Sequence, residues 1–387
     1  MLKLGGKVIH IENGLNQNSQ IFSVSTNPLL PNVLKAQKAY LVKGVEVPKG
    51  FAHYLVFNSQ IDFINNLPEN SNYSLLGEEF SYLDNDDIIK LAPDKLNIKV
   101  LFRASSPHNG ILVTEQCNHY CLMCSQPPKN IDDSWILDEI EEMIPLIPKD
   151  TAEIGFTGGE PTLFGDRFLK LLNLTKSYLP RTTIHILSNG RTFKDRVFSE
   201  KYAGINHHDM MVGIPIYSDD PTQHDFIVQA QGAFDETIQG ILNLKRLNQK
   251  VEIRVVIHKQ SIDTLESLCE FLARNLLFVD HVALMGLEMM GFTRANLDKL
   301  WIDPYDYKDK LSNAVATLAK AGMNVSVYNH QLCLVNKDII PYYKKSISDW
   351  KNEYADECAT CSRMEECGGF FSSGIQYGYS KNLKAFS

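Results

Sequence analysis

Thr114-Glu-Gln-Cys117-Asn-His-Tyr-Cys121-Leu-Met-Cys124 is the stretch on which the reading of this chain turns. Its three cysteines, spaced C-x3-C-x2-C, follow directly on a strand candidate at Ile111–Glu115. Thiolates are soft ligands suited to iron–sulfur clusters and to zinc. Three of them in one loop can fold around one corner of a cubane, and the missing fourth leaves one iron open to a small-molecule ligand. A closed zinc site needs four ligands, and His119 is a side chain in the loop that could complete one.

Working outward, short apolar runs alternate with helical patterns from about Gly110 to Ala283. Further strand candidates are Ile154–Thr157, Thr183–Leu187, Met210–Tyr217, Val251–Ile257 and Val282–Met285. Val251, Ile253, Val255 and Ile257 keep the period of two, and Val256 between them points to burial on both faces. Ser134–Ile147 and Phe234–Leu247 carry helical stripes, the first with Ile136, Ile140, Met143, Ile144 and Ile147 on one face. Six strands alternating with helices predict an α/β fold with a parallel sheet, open or partly closed into a barrel. Residues 1–109 differ: Gly, Pro and Asn break up runs such as Ala39–Val42 and Tyr54–Phe57, which predicts a partly β-rich N-terminal module of unassigned role. After Gly322 a strand candidate at Val325–Tyr328 leads into a cysteine-rich tail. The expected division is therefore 1–109, 110–322 and 323–387.

The strand ends carry polar motifs. Gly158-Gly159-Glu160-Pro161 closes the second strand, where glycines permit close backbone approach and a carboxylate can hold an ammonium group. Taken alone the tetrapeptide also fits an ordinary strand-ending turn. Ser188-Asn189-Gly190 closes the third strand, Ser218-Asp219-Asp220 follows the fourth, and Arg254 lies on the fifth. Four motifs at the C-terminal ends of four successive strands match the rim at which barrel enzymes build their sites.

C-x3-C-x2-C opening such a barrel resembles the radical SAM (S-adenosylmethionine) superfamily, whose fold is a partial (β/α)6 TIM barrel. The resemblance implies a 4Fe-4S cluster on Cys117, Cys121 and Cys124. It also implies SAM contacts from Gly158, Gly159, Glu160, Pro161, Ser188, Asn189, Ser218 and Arg254. Met123 stands where the family usually has an aromatic residue against adenine, and a thioether can pack on a ring.

Cys333 with Cys358-Ala-Thr-Cys361-Ser-Arg-Met-Glu-Glu-Cys367 supplies four more thiols, enough to close a site. The arrangement resembles the auxiliary-cluster (SPASM or twitch) extensions of peptide-modifying members, which implies a second 4Fe-4S cluster; structural zinc is the competing reading. The phrases Cys121-Leu-Met-Cys-Ser-Gln-Pro-Pro128, Tyr328-Asn-His-Gln-Leu-Cys333, Ser348-Asp-Trp-Lys-Asn-Glu-Tyr354 and Cys367-Gly-Gly-Phe-Phe resemble the His-Xaa-Ser system radical SAM maturases. That resemblance implies a peptide or protein substrate with His-Xaa-Ser repeats, a small partner maturase and a flavodoxin- or ferredoxin-type reductant. Radical SAM action on RNA or on a glycyl-radical partner, or a non-catalytic iron–sulfur or zinc protein, are the alternatives.

Composition bounds these expectations. Lys and Arg total 38 against 46 Asp and Glu, a net charge of −8. Without a basic block there is no broad electrostatic footprint for nucleic acid. No run reaches the roughly 18 apolar residues of a membrane helix, and no apolar stretch of signal-peptide length opens the chain, so a cytoplasmic location is expected. Clustered cysteines in a reducing compartment read as metal ligands rather than disulfides, while Cys269, alone in a helical pattern, reads as core.

Overall fold

The computed structural model describes residues 3–12, 18–345 and 352–387. Ser348–Lys351, the first part of one phrase above, therefore lie outside the described residues. Two compact units are present: Met1–Ile111 with Asp138–Ile154 and Leu174–Thr182, and Leu112–Leu137 with Gly155–Asn173 and Thr183–Ser387. No helix among the described residues is long and apolar enough to cross a membrane.

The first unit is built on an eight-stranded sheet: β1 (Gly5–Lys7), β2 (His10–Glu12), β3 (Gln20–Ser25), β4 (Lys38–Leu41), β5 (His53–Phe57), β6 (Tyr73–Leu76), β7 (Ile88–Ala92) and β8 (Asn97–Phe102). Their spatial order is β1-β8-β7-β3-β4-β5-β6-β2. The central strands β3 to β6 pair in parallel, and the outer pairs are antiparallel. Side chains alternate across a strand, so Leu41, Leu55 and Leu76 enter one apolar cluster while Tyr40, Tyr54 and Leu75 enter another. A sheet buried on both faces explains why these segments read as continuous apolar runs.

The second unit carries a seven-stranded sheet ordered β15-β14-β13-β12-β11-β10-β9. The strands are β9 (Asn109–Thr114), β10 (Glu153–Gly158), β11 (Thr183–Leu187), β12 (Met210–Pro215), β13 (Lys250–Ile257), β14 (His281–Gly286) and β15 (Val325–Tyr328). From β11 to β15 each strand pairs in parallel with the next. Val325–Tyr328 thus extends the same sheet beyond the six strands of the sequence pattern. Along β13, Val251, Ile253, Val255 and Ile257 are buried, whereas Arg254 and Val256 are half-buried and line the cleft described below.

Crossover helices link the strands: α2 (Trp135–Met143), α3 (Asp166–Tyr178), α4 (Arg196–Gly204), α5 (Pro221–Val228), α6 (Ala233–Arg246) and α7 (Leu265–Asn275), α1 (Asn32–Lys35) being in the first unit. Helix α2 stops at Met143 rather than Ile147, with a 3₁₀ turn at Ile144–Leu146. Pro145 is the reason, because a proline disfavours helical backbone at the residue before it. Two short helices, α8 (Phe292–Ala295) and α9 (Leu297–Leu300), follow β14 and precede α10 (Pro304–Lys320); α11 (Ser372–Tyr377) lies near the C-terminus. Cys269 is fully buried in α7, as its apolar pattern predicts.

Candidate functional site

The cysteine loop leaves β9 and is held from several sides by backbone chemistry. Asp133, wholly buried, accepts hydrogen bonds from Thr114 Oγ1 (3.0 Å), Glu115 N (2.5 Å) and Gln116 Nε2 (2.9 Å), which fixes the approach to Cys117. The last carbonyls of a helix have no partner within it. In α5 those of Ile227 and Val228 take the N–H groups of Leu122 (3.0 Å) and Tyr120 (3.1 Å). On the opposite side of the loop chain, the carbonyls of Leu122, Met123 and Cys124 accept from Asn296 Nδ2 (3.0 Å), Thr293 Oγ1 (3.1 Å) and Phe292 N (2.8 Å). Gly291, at φ +54°, brings this segment so close that a Cβ would lie 2.3 Å from Cys124 O.

The Gly158-Gly159 pair works in the same way. Gly159 N donates to Thr114 O and Glu160 N to Gln116 O, both at 2.8 Å. A Cβ on Gly158 would stand 2.3 Å from Thr114 O, and one on Gly159 only 2.0 Å from Gln116 O. The sequence reading gives these glycines to a ligand; the geometry adds that the neighbouring strand and the cysteine loop also require them.

Cys117, Cys121 and Cys124 line one cavity of about 290 Å³, together with Met123, Gly158, Gly159, Ser188, Asn189 and Arg254. Nine of the residues expected at the site therefore meet on one surface. Glu160, Pro161 and Ser218 do not line it. Glu160 is wholly buried beneath the rim: Oε1 accepts from Thr162 N (3.0 Å), Thr162 Oγ1 (2.6 Å) and Ser188 Oγ (2.9 Å), and Oε2 from Asn189 N (2.6 Å). Burial raises its pKa against those stabilising donors. Pro161 opens the turn after it, where a missing N–H costs nothing. Ser218 is buried, and its hydroxyl accepts from Asp220 N at the start of α5 (3.1 Å).

Arg254 reaches the cavity with its guanidinium tied to Glu252 (2.7 Å), which also bonds His281 Nδ1 (2.7 Å). Burial opposes ionisation of Glu252, but the His281 bond and the Arg254 charge prevail and hold its carboxyl down at about 2. Met123 is buried against Tyr217, Ile227, Val228 and Leu300, so it forms part of the cavity floor. Burial pushes the Cys117 thiol up to about 11 and raises Cys121 and Cys124 too. Metal binding would therefore release protons. His119, named above as a fourth zinc ligand, is held down to about 3 by burial and then by Arg191; its Nδ1 lies 4.0 Å from Cys121 Sγ.

The C-terminal cysteines also converge. Cys333, Cys358, Cys361 and Cys367 line a single smaller pocket with Tyr354, Arg363 and Phe386. Backbone N–H groups point at the sulfurs: Leu332 N (3.3 Å) and Gly369 N (3.4 Å) donate to Cys367, and Phe386 N (3.5 Å) donates to Cys361. Among the described residues no group of three or more His, Cys, Asp and Glu is placed to share one metal ion. In both groups the thiols line a void. Soft sulfur donors, three in the first group and four in the second, suit thiophilic metal centres, iron–sulfur clusters and zinc among them.

Residues 111–272 match the model of the Radical SAM superfamily. The segment from β9 into α7, less than half of the chain, is thus similar to that superfamily. Solved structures share its fold at low identity. Streptococcus suis SuiB bound to S-adenosylmethionine is 15% identical with a TM-score of 0.51, covering 73% of this chain and 76% of that one. Native anSMEcpe with bound AdoMet is 12% identical with a TM-score of 0.51, covering 71% and 92%. Among curated proteins, a "Probable GTP 3',8-cyclase" of Methanocella arvoryzae is 28% identical over 133 residues, 34% of this chain and 41% of that relative. The match thus spans less than half of that relative's length.

Proposed function

We propose that this radical SAM chain modifies a peptide or protein after translation, with a 4Fe-4S cluster held by Cys117, Cys121 and Cys124. The observation that carries the reading is the convergence of three unpaired thiols on one cleft whose remaining walls are the Gly158-Gly159 turn, Ser188-Asn189 and Arg254. When bound, a cluster with an open iron supplies the one-electron cleavage of SAM to a 5′-deoxyadenosyl radical that abstracts hydrogen from substrate. The chain's own residues position and enclose. Asp133, α5 and the Phe292–Asn296 segment immobilise the thiols, Met123 forms an apolar floor, and Arg254 offers a fixed positive charge to a carboxylate. Glu160 acts through Ser188 and Asn189 rather than from the cavity wall.

Cys333, Cys358, Cys361 and Cys367 would hold a second 4Fe-4S cluster, supported by the N–H donors aimed at Cys367 and Cys361. The assignment to a His-Xaa-Ser maturase, acting with a small partner maturase, rests on the phrases at residues 121–128, 328–333 and 367–371. SuiB and anSMEcpe also have structures with a precursor peptide and with the Cp18Cys peptide. Anaerobic incubation with SAM, dithionite and a His-Xaa-Ser repeat peptide tests the reading: 5′-deoxyadenosine and a mass change in the peptide are expected. Wild-type yield from Cys121→Ala protein would overturn the cluster assignment. About eight irons per chain supports two clusters, and about four rejects the second.

A further inference from the structure

The cysteine-lined cleft does not end at the barrel rim. Gly286, Leu287, Glu288 and Asn329 line both it and a second cavity of about 60 Å³, formed by the end of β14 and the C-terminal segment around α11. That inner cavity also shares Gln331, Gly369 and Phe370 with the pocket of the C-terminal cysteines. Outward it shares Met289, Trp301, Ile302, Gly378 and Tyr379 with an open groove of about 560 Å³. All these residues lie in the second unit.

The inner cavity contains an orphaned polar group. Ser373 lines it, is 3% exposed, and its hydroxyl has no hydrogen-bond partner among the described residues. A buried hydroxyl without a partner costs free energy, and a substrate carbonyl or amide would satisfy it. Tyr307, which also lines it, is by contrast already partnered, its hydroxyl bonding His330 Nε2 at 2.8 Å.

The outer groove has a definite chemistry. Asp298, Asp303 and Asp306 line it with Trp301, Tyr377 and Tyr379, against one cation, Lys259. Asp303 is committed to the fold: it caps α10 through Tyr305 N and accepts from Ser380 Oγ and Asn382 Nδ2. Asp298 and Asp306 are exposed and have no side-chain partner among the described residues. Two free carboxylates beside an indole face suit a lysine or arginine side chain, by charge and by cation–π attraction.

We propose that these contiguous cavities are the path of the substrate peptide, and that Asp298, Asp306 and Trp301 select a basic residue of it while Ser373 bonds its backbone. The proposal rests on the peptide-modifying reading above. Its test is equilibrium binding of acetyl-Gly-Lys-Gly-amide, acetyl-Gly-norleucine-Gly-amide and acetyl-Gly-Glu-Gly-amide to the full reconstituted chain, followed by saturation-transfer NMR. The lysine peptide should bind about tenfold tighter than the norleucine peptide at low salt, and lose that preference at about 1 M salt. In the Asp298→Asn/Asp306→Asn protein, checked by its melting curve, the ratio should fall to about twofold or less. Ser373→Ala should weaken the lysine and norleucine peptides equally. Equal affinity of the wild-type protein for those two peptides, or unchanged lysine preference in the double variant, would overturn the groove. SAM cleavage by the same wild-type preparation reads the underlying assignment separately: 5′-deoxyadenosine without lysine preference removes the groove alone, and no 5′-deoxyadenosine under reductant removes the radical SAM reading.

Discussion

Gly159→Ala is the substitution for which the geometry makes the sharpest claim. The new Cβ would lie 2.0 Å from Gln116 O, 2.6 Å from Gln116 C and 3.1 Å from Cys117 Cβ. The first two are backbone atoms, so no side-chain rotation relieves the clash, and Gln116 must retreat by about 1 Å. It is poorly free to do so, because its carbonyl accepts from Glu160 N and its side chain is bonded to Asp133. Overpacking costs about 1–3 kcal/mol, and a buried N–H left without its acceptor about 1–3 kcal/mol more. The expected loss is therefore about 2–6 kcal/mol, a large part of a total that is typically about 5–15 kcal/mol. Because the displaced residue adjoins Cys117, cluster loading should fall as well. Gly204→Ala is the control, since a Cβ there meets nothing within 4 Å at the end of α4. Urea unfolding followed by circular dichroism gives the stability, and iron and sulfide per chain after anaerobic reconstitution give the loading. A Gly159→Ala protein within about 0.5 kcal/mol of wild type and with undiminished iron would refute the steric argument.

Asp133→Ala should cost about 2–3 kcal/mol, because it strands Thr114, Glu115 and Gln116 donors that now meet a carboxylate; the same unfolding assay checks it, together with reduced iron content. Asn296→Ala removes the bond to Leu122 O, so about 1 kcal/mol is expected along with faster bleaching of the reconstituted cluster in air; a bleaching rate equal to wild type would count against the clamp. In the first unit, burial holds His53 down at about 3, with Nε2 on Ser74 Oγ at 2.8 Å. Its unfolded form takes up a proton below about 6.5 and the folded form does not until about 3, so stability falls as pH drops through that window. At pH 5.5 the penalty is about 1.4 kcal/mol. About 0.2 kcal/mol of it is already present at pH 7, so wild-type protein should lose about 1.2 kcal/mol more than His53→Leu between pH 7 and pH 5.5, and equal losses would contradict the assignment.

How much of this was legible in the sequence depends on how local the determinants are. Thr183–Leu187 and Val325–Tyr328 are strands with the bounds their sequence predicts, because alternation is a local signal: in the first, Ile184 and Ile186 are buried while Thr183, His185 and Leu187 are half-buried. The eight-stranded sheet of the first unit was visible only as a β-rich tendency. Its strands are three to six residues long, and its order places β8 between β1 and β7, a pairing no local pattern encodes. The thiols and the Gly158-Gly159 pair could be read directly because their residue types are rare and their spacing is short. The clamps could not. Ile227 and Val228 act through carbonyls that every residue possesses, and Asn296 meets Leu122 from 174 positions away. Asp133 had no motif to mark it, and its neighbour Asp132 is an equally plausible acid in the sequence.

Glu160 shows how much one acid at a strand end can hold. A carboxylate after two glycines reads as a ligand for an ammonium group, and here it also bonds the protein: Oε1 accepts from Thr162 N and Ser188 Oγ, and Oε2 from Asn189 N. Those bonds join β10 to the end of β11, where Asn189 Nδ2 in turn reaches Asn118 Oδ1 in the cysteine loop at 2.6 Å. The loop, through Gln116 O, accepts Glu160 N. The connections close on themselves: cysteine loop to β10, β10 to β11, and β11 back to the cysteine loop. A cycle of this kind couples its members, so loosening any one bond relaxes the orientation of all three thiols together. The polar residues at these strand ends thus help to hold Cys117, Cys121 and Cys124 in register, and the buried acid at position 160 is one link of that cycle.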